Sequence, residues 1–223
     1  MRRLPLRFLP LIGLVVALPA AAQDPIKSNP DVYHLVFENA AVRVLHVTVK
    51  PGAKTTMHEH PDTVIVALSD ARVRFTGADG KSVEAPLKAD QAMWAPAEKH
   101  SGENLEKTPV EVILVELKGN KAPTATIPTN RSDMKITPLF DNPRVMVYKA
   151  TTGPNFQEPA GSTHDFDQVV IALGESDAMS VNVEGKAKTT WKRGDALFIG
   201  RGMKHESKNS SGKPLDVILV ASK

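Results

Sequence analysis

Two histidines separated by one residue, His58 and His60, stand just before the apolar, β-branched run Thr63-Val64-Ile65-Val66-Ala67-Leu68. In an extended chain residues i and i+2 point to the same side, so both imidazoles can converge on one point. That is half of a metal site; the bland alternative is a pair of histidines at a strand entrance. A third histidine, His100, follows Trp94-Ala95-Pro96-Ala97-Glu98-Lys99 and precedes Ser101-Gly102-Glu103-Asn104. The chain has no cysteine, so a metal site must be built from His, Asp, Glu or Asn. His34 and His46 carry no motif around them, and His46, inside the run Val42–Val49, reads as structural.

The elements that would position these groups read as strands. The 17 prolines and 14 glycines are spread along 223 residues, which suits short strands joined by turns. Val42–Val49, Val64–Leu68, Arg72–Thr76, Val83–Leu87, Ala92–Ala95 and Val110–Leu117 are short apolar or alternating segments bounded by turn residues. Asp79-Gly80 between two of them signals a hairpin. No stretch keeps a 3.6-residue period over three turns, so the fold class is all-β, a sandwich or closed barrel.

The chain also repeats itself at an offset of about 105 residues. Pro109-Val110-Glu111-Val112-Ile113-Leu114-Val115 returns as Pro214-Leu215-Asp216-Val217-Ile218-Leu219-Val220, and Asp62-Thr63-Val64-Ile65-Val66-Ala67-Leu68 as Asp167-Gln168-Val169-Val170-Ile171-Ala172-Leu173. Two copies of one domain follow, at 27–118 and 132–223, joined by a polar linker over 119–131.

Residues 1–22 read as a secretory signal peptide, with Arg2, Arg3 and Arg7, an apolar stretch from Phe8 to Leu18, and Ala20-Ala21-Ala22 before Gln23. A periplasmic or secreted protein with no membrane anchor after cleavage is expected. Removing this segment lowers Lys plus Arg from 28 to 25, against 25 Asp plus Glu. A formally neutral mature chain argues against a nucleic-acid partner.

Gly52, five residues, His58-x-His60, and later Pro96, His100 and Asn104 together resemble the two motifs of the cupin family, G-x5-H-x-H-x3,4-E-x6-G and G-x5-P-x-G-x2-H-x3-N. Gly194, Gly200-Arg201-Gly202-Met203-Lys204-His205 and Asn209 reproduce the second motif again. The resemblance implies two tandem jelly-roll β-barrels, a bicupin, and a divalent iron, manganese or zinc ion on His58, His60 and His100. The family's Glu is missing, for Val64 or Ile65 stands in its place. Asp62 or Glu98 is the candidate replacement carboxylate and the candidate catalytic acid/base. In the second copy, alignment through Asp167 sets Thr163 and Asp165 opposite His58 and His60 and leaves His164 on the wrong strand phase, so only His205 keeps its place unless a bulge turns His164 inward. That copy reads as a structural half. Asn104 and Asn209 are expected to satisfy backbone groups at turns. The implied function is that of a metal-dependent enzyme, oxygenase-like, acting on a small organic molecule; the alternative is a non-catalytic ligand-binding or structural bicupin.

Overall fold

A computed structural model describes residues 23–119 and 125–223. The expected signal peptide lies outside them, as does part of the expected linker. After a one-turn helix α1 (Pro25–Ser28) the first unit runs β1 (Tyr33–Glu38), β2 (Val42–Val49), β3 (His58–His60), β4 (Thr63–Ala67), β5 (Ala71–Gly77), β6 (Ser82–Leu87), β7 (Ala92–Ala95), β8 (Glu98–Asn104) and β9 (Val110–Leu117). The second runs β10 (Met134–Asp141), β11 (Val145–Thr152), β12 (Asp167–Ala172), β13 (Met179–Val183), β14 (Lys186–Lys188), β15 (Ala196–Ile199), β16 (His205–Asn209) and β17 (Leu215–Ser222). Among the described residues no helix is long and apolar enough to cross a membrane.

Each unit pairs a five-stranded sheet with a smaller one, the all-β architecture of two tandem barrels. The large sheets have matching orders, β1-β2-β9-β4-β7 and β10-β11-β17-β12-β15. They share a bulge, between Leu35 and Phe37 in one and between Pro138 and Phe140 in the other. The small sheets are β3-β8-β5-β6 and β14-β13-β16. The Asp79-Gly80 hairpin forms between β5 and β6, with Gly80 at φ 78°, a conformation glycine adopts without Cβ strain.

The large sheets are buried on both faces, which is why their strands read as nearly continuous Val/Ile/Leu runs. One face looks into its own barrel: Leu45, Val47, Ala67, Val112 and Leu114 in the first, Tyr148, Ala150, Val170, Val217 and Leu219 in the second. The opposite faces meet each other, and Val44, Val64, Val66, Ile113 and Val115 pack with Val147, Val169, Ile171, Ile218 and Val220 in one core. Polar ties flank it: Arg144 to Asp62 at 2.7 Å, and Arg193 to Asp90 at 2.5 Å and to the Leu68 carbonyl at 2.8 Å. Asn104 and Asn209 do hold turns, each donating Nδ2 to backbone carbonyls (Val49, Lys50 and Thr108; Thr152, Gly153 and Lys213).

Candidate metal centre

The three histidines come together on the small sheet of the first barrel. His58 and His60 project from one side of β3, and β3 pairs antiparallel with β8 so that His58 lies opposite His100. Cross-strand partners share a face, so the third ring joins the other two. Ring centroids are 4.8 Å apart for His58–His60, 5.0 Å for His58–His100 and 5.4 Å for His60–His100. One nitrogen from each lies within 4.8 Å of the others, and the residues are 0, 6 and 8 % exposed.

Hydrogen bonds decide which nitrogen faces inward. His58 Nδ1 lies 2.7 Å from the Thr56 carbonyl, which can only accept. His60 Nδ1 lies 2.6 Å from Glu116 Oε1, and His100 Nδ1 2.8 Å from Glu98 Oε1. All three Nδ1 atoms therefore donate, and in the neutral ring each Nε2 keeps a lone pair. Burial pulls the His58 pKa down to about 4, outweighing the Thr56 carbonyl, and burial likewise lowers His100 against the opposing pull of Glu98. Neutral imidazole is the metal-binding form.

The facing large sheet supplies groups that sequence reasoning missed. Glu116 on β9, 1 % exposed, accepts from His60 and also from Arg43 Nε on the neighbouring β2, and Arg43 in turn pairs with Asp24. Burial alone would raise the Glu116 carboxyl, but these two hydrogen bonds outweigh it and hold the group below the usual range. Tyr33 on β1 donates its hydroxyl to His58 Nε2 at 2.8 Å, and burial pushes this phenol up. Their signal was present: Arg43 and Glu116 are charges inside apolar runs, and a charge buried in such a strand needs a partner.

The two candidate acid/base residues part company. Glu98 opens β8 opposite His60, and its half-exposed carboxylate lines an open cleft with His60 and Arg43. Asp62 is not brought to the histidines. One oxygen accepts from the Ala97 amide at 3.0 Å and the other pairs with Arg144 of the second barrel. The cavity beside the histidines, walled by Val73, Phe75, Leu87 and Leu114, measures about 70 Å³.

The second barrel departs from the expected alignment. Ser162, not Thr163, bridges to His205, as His58 pairs with His100. His164, two residues on, therefore shares the face of His205, and their rings are 4.8 Å apart. The inserted stretch before it shifted the register by one residue. His164 Nδ1 donates to the Phe166 carbonyl at 2.7 Å, while its Nε2 is enclosed without a partner. Glu158 stands 3.4 Å from His205 Nε2 and pairs with Arg131; that carboxylate holds His205 above its ordinary pKa against burial. These groups rim a cavity of about 280 Å³ in the second barrel.

No protein-family model matches the chain, and no curated protein is similar to it in sequence. Solved structures are similar in fold. AerE from Microcystis aeruginosa superposes with a TM-score of 0.63 at 15% identity over 86% of this chain and 97% of that one. A salicylate 1,2-dioxygenase from Pseudaminobacter salicylatoxidans gives 0.60 at 8% identity over 82% and 71%, and a cupin 2 conserved barrel domain protein from Leptotrichia buccalis 0.54 at 12% over 86% and 88%. At these identities the likeness establishes the fold, two tandem β-barrels of the cupin type.

Proposed function

We propose that this chain is an exported, metal-dependent enzyme of the cupin fold, oxygenase-like in its chemistry, acting on a small organic molecule. One observation carries the reading: three buried imidazoles whose Nδ1–H groups are all engaged leave three Nε2 lone pairs within reach of one ion. Three neutral nitrogen donors suit iron, manganese or zinc. Bound there, such an ion supplies a Lewis acid with open positions for substrate oxygens and, as iron, for O2.

The chain's own residues do the rest. Glu116 and Arg43 fix the orientation of His60, and the apolar wall of Val73, Phe75 and Leu114 excludes water. Glu98 is the acid/base candidate, because it lines the cleft beside His60 and is half exposed. Asp62 is left an inter-barrel role. The fold likeness to a salicylate dioxygenase, one structure of which is described with gentisate adducts, puts hydroxylated aromatic acids first among substrates to try.

The test uses protein recovered from the exported fraction of cells expressing the full chain. It should begin at Gln23, carry one metal ion per chain, and consume oxygen with an aromatic-acid panel after loading with ferrous iron. His60→Ala should lose both metal and turnover. Metal-free native protein, or unchanged metal content in His60→Ala, would sink the reading.

A second reading, a non-catalytic ligand-binding bicupin, is favoured by the cavity of only about 70 Å³, room for a molecule of very few atoms. Thermal stabilisation by metal with no turnover across the panel would select it.

A further inference from the structure

We propose that Tyr33 is the fourth protein ligand of this metal, replacing with a phenolate the carboxylate that the cupin pattern places where this chain has Val64 or Ile65. The inference rests on the three-histidine reading above and extends it to the identity of the ion.

The geometry begins on β1. Of its six residues, Tyr33 alone is fully buried, and the strand uses that one side chain to reach across the barrel. Its ring packs against two of the three histidines, at 5.0 Å from His58 and 5.6 Å from His60. Its hydroxyl ends 2.8 Å from His58 Nε2, the nitrogen that carries the metal-directed lone pair. Around one ion with metal–nitrogen bonds of about 2.1 Å, neighbouring donor atoms stand about 3.0–3.4 Å apart. The Tyr33 oxygen is thus already close to the spacing of a neighbouring ligand.

The hydrogen bond it makes now cannot survive metal binding, because the Nε2 lone pair it uses is the one the ion takes. The buried hydroxyl would then lose this acceptor and keep only the Thr55 side chain, whose hydrogen bond favours an ionised oxygen. Coordination resolves this: the phenolic hydrogen leaves to solvent as a proton, the oxygen's electron pair forms the bond to the metal, and no redox change occurs. One anion among three neutral imidazoles restores the charge of a three-His, one-Glu site. A phenolate is a hard anionic oxygen donor, and the class of ion it favours beside imidazole is ferric iron.

The chain holds only two tyrosines, Tyr33 and Tyr148, and Tyr148 belongs to the second barrel, which makes the test selective. Metal-free protein is loaded with ferrous iron and oxidised with air. Iron bound at one per chain should show a visible phenolate-to-iron charge-transfer band, with resonance Raman modes that shift when the protein is made with ring-deuterated tyrosine. Tyr148→Phe should keep the band. Tyr33→Phe should lose it while binding iron about 10–100-fold more weakly. Iron bound without a band, or a band that survives Tyr33→Phe, would overturn Tyr33 as a ligand and leave the histidine site standing. If wild-type protein binds no iron, zinc or manganese, the three-histidine reading itself fails. Should Tyr33→Phe not fold, the labelled-tyrosine spectrum of Tyr148→Phe decides alone, since Tyr33 is then the only tyrosine present.

Discussion

Replacing Glu116 by Gln isolates what the large sheet contributes to the centre. The carboxylate uses both oxygens: Oε1 accepts from His60 Nδ1 at 2.6 Å and Oε2 accepts from Arg43 Nε. An amide offers one acceptor and one donor, so one of those two N–H groups must face an NH2. If the amide NH2 turns to His60, the ring has to present Nδ1 as acceptor, and the proton moves to Nε2, the metal-directed nitrogen. If it turns to Arg43, the His60 contact survives but loses its charge, which roughly halves a charge-assisted hydrogen bond. Either outcome weakens the metal site without touching a ligand. Outer partners of this kind typically change metal affinity by about 10–100-fold, or about 1.4–2.7 kcal/mol. The assay is a competition titration of zinc or cobalt against a chelator, wild type beside Glu116→Gln, with circular dichroism confirming that both are folded. A dissociation constant within about twofold of wild type, in folded protein, would refute the claim that Glu116 orients His60 for metal.

Three further outcomes are expected. Asp62→Asn should leave metal affinity unchanged and lower stability by about 1 kcal/mol or less, as for a partly exposed ion pair to Arg144; a loss of metal binding would return Asp62 to the site. Gly194→Ala should cost about 1–3 kcal/mol in chemical denaturation, because Gly194 sits at φ 86° and an added Cβ would meet Leu68 Cδ1 at 2.7 Å, between the barrels. The metal-free protein should lose stability as pH falls. His58 is held near pKa 4 in the fold against an ordinary 6.5, so the unfolded chain binds more protons between those values, and the urea midpoint should drop from pH 6.5 toward pH 4. His205, raised by Glu158, works in the opposite sense: its contribution is full below pH 6.5 and fades as pH rises through its folded pKa, so Glu158→Gln should flatten the loss of stability that wild type shows above pH 6.5. A flat midpoint across this window in wild type would contradict the buried neutral His58.

The parts of the site carried by local periodicity were readable, and those carried by register were not. His58 and His60 share a face because strands alternate, and that needs only their spacing. The polar segment Glu98-Lys99-His100-Ser101-Gly102-Glu103-Asn104 does not look like a strand at all. It becomes β8 because β3 and β5 pair with it on both sides, a tertiary effect that no local propensity records. β1 was missed for a similar reason, since five of its six residues are not fully buried. The phase of His164 is not legible by counting back from Asp167, because one residue of slip in the intervening segment reverses every side chain.

The pairing registers make the dependence of the site on both sheets more than an impression. In the first barrel Arg43 pairs with Glu116 across β2 and β9; at the corresponding place across β11 and β17 the second barrel pairs Met146 with Ala221, both fully buried. Where Tyr33 pairs with Val47, Ile136 pairs with Ala150. Where His58 faces His100, Ser162 faces His205. At these strand positions the second barrel thus lacks one histidine together with the phenol, the carboxylate and the guanidinium of the first, and the carboxylate and guanidinium it does have at His205, those of Glu158 and Arg131, come from outside the paired strands. Arg43 and Glu116 are costly to bury, and the contact of Glu116 with His60 gives them a role that Met146 and Ala221 do not have. Exchanging them for the second barrel's pair, Arg43→Met with Glu116→Ala, should cut metal affinity at least as far as Glu116→Gln in protein that circular dichroism shows to be folded. A folded double variant that binds metal as wild type does would show that the ion pair does not serve the metal site.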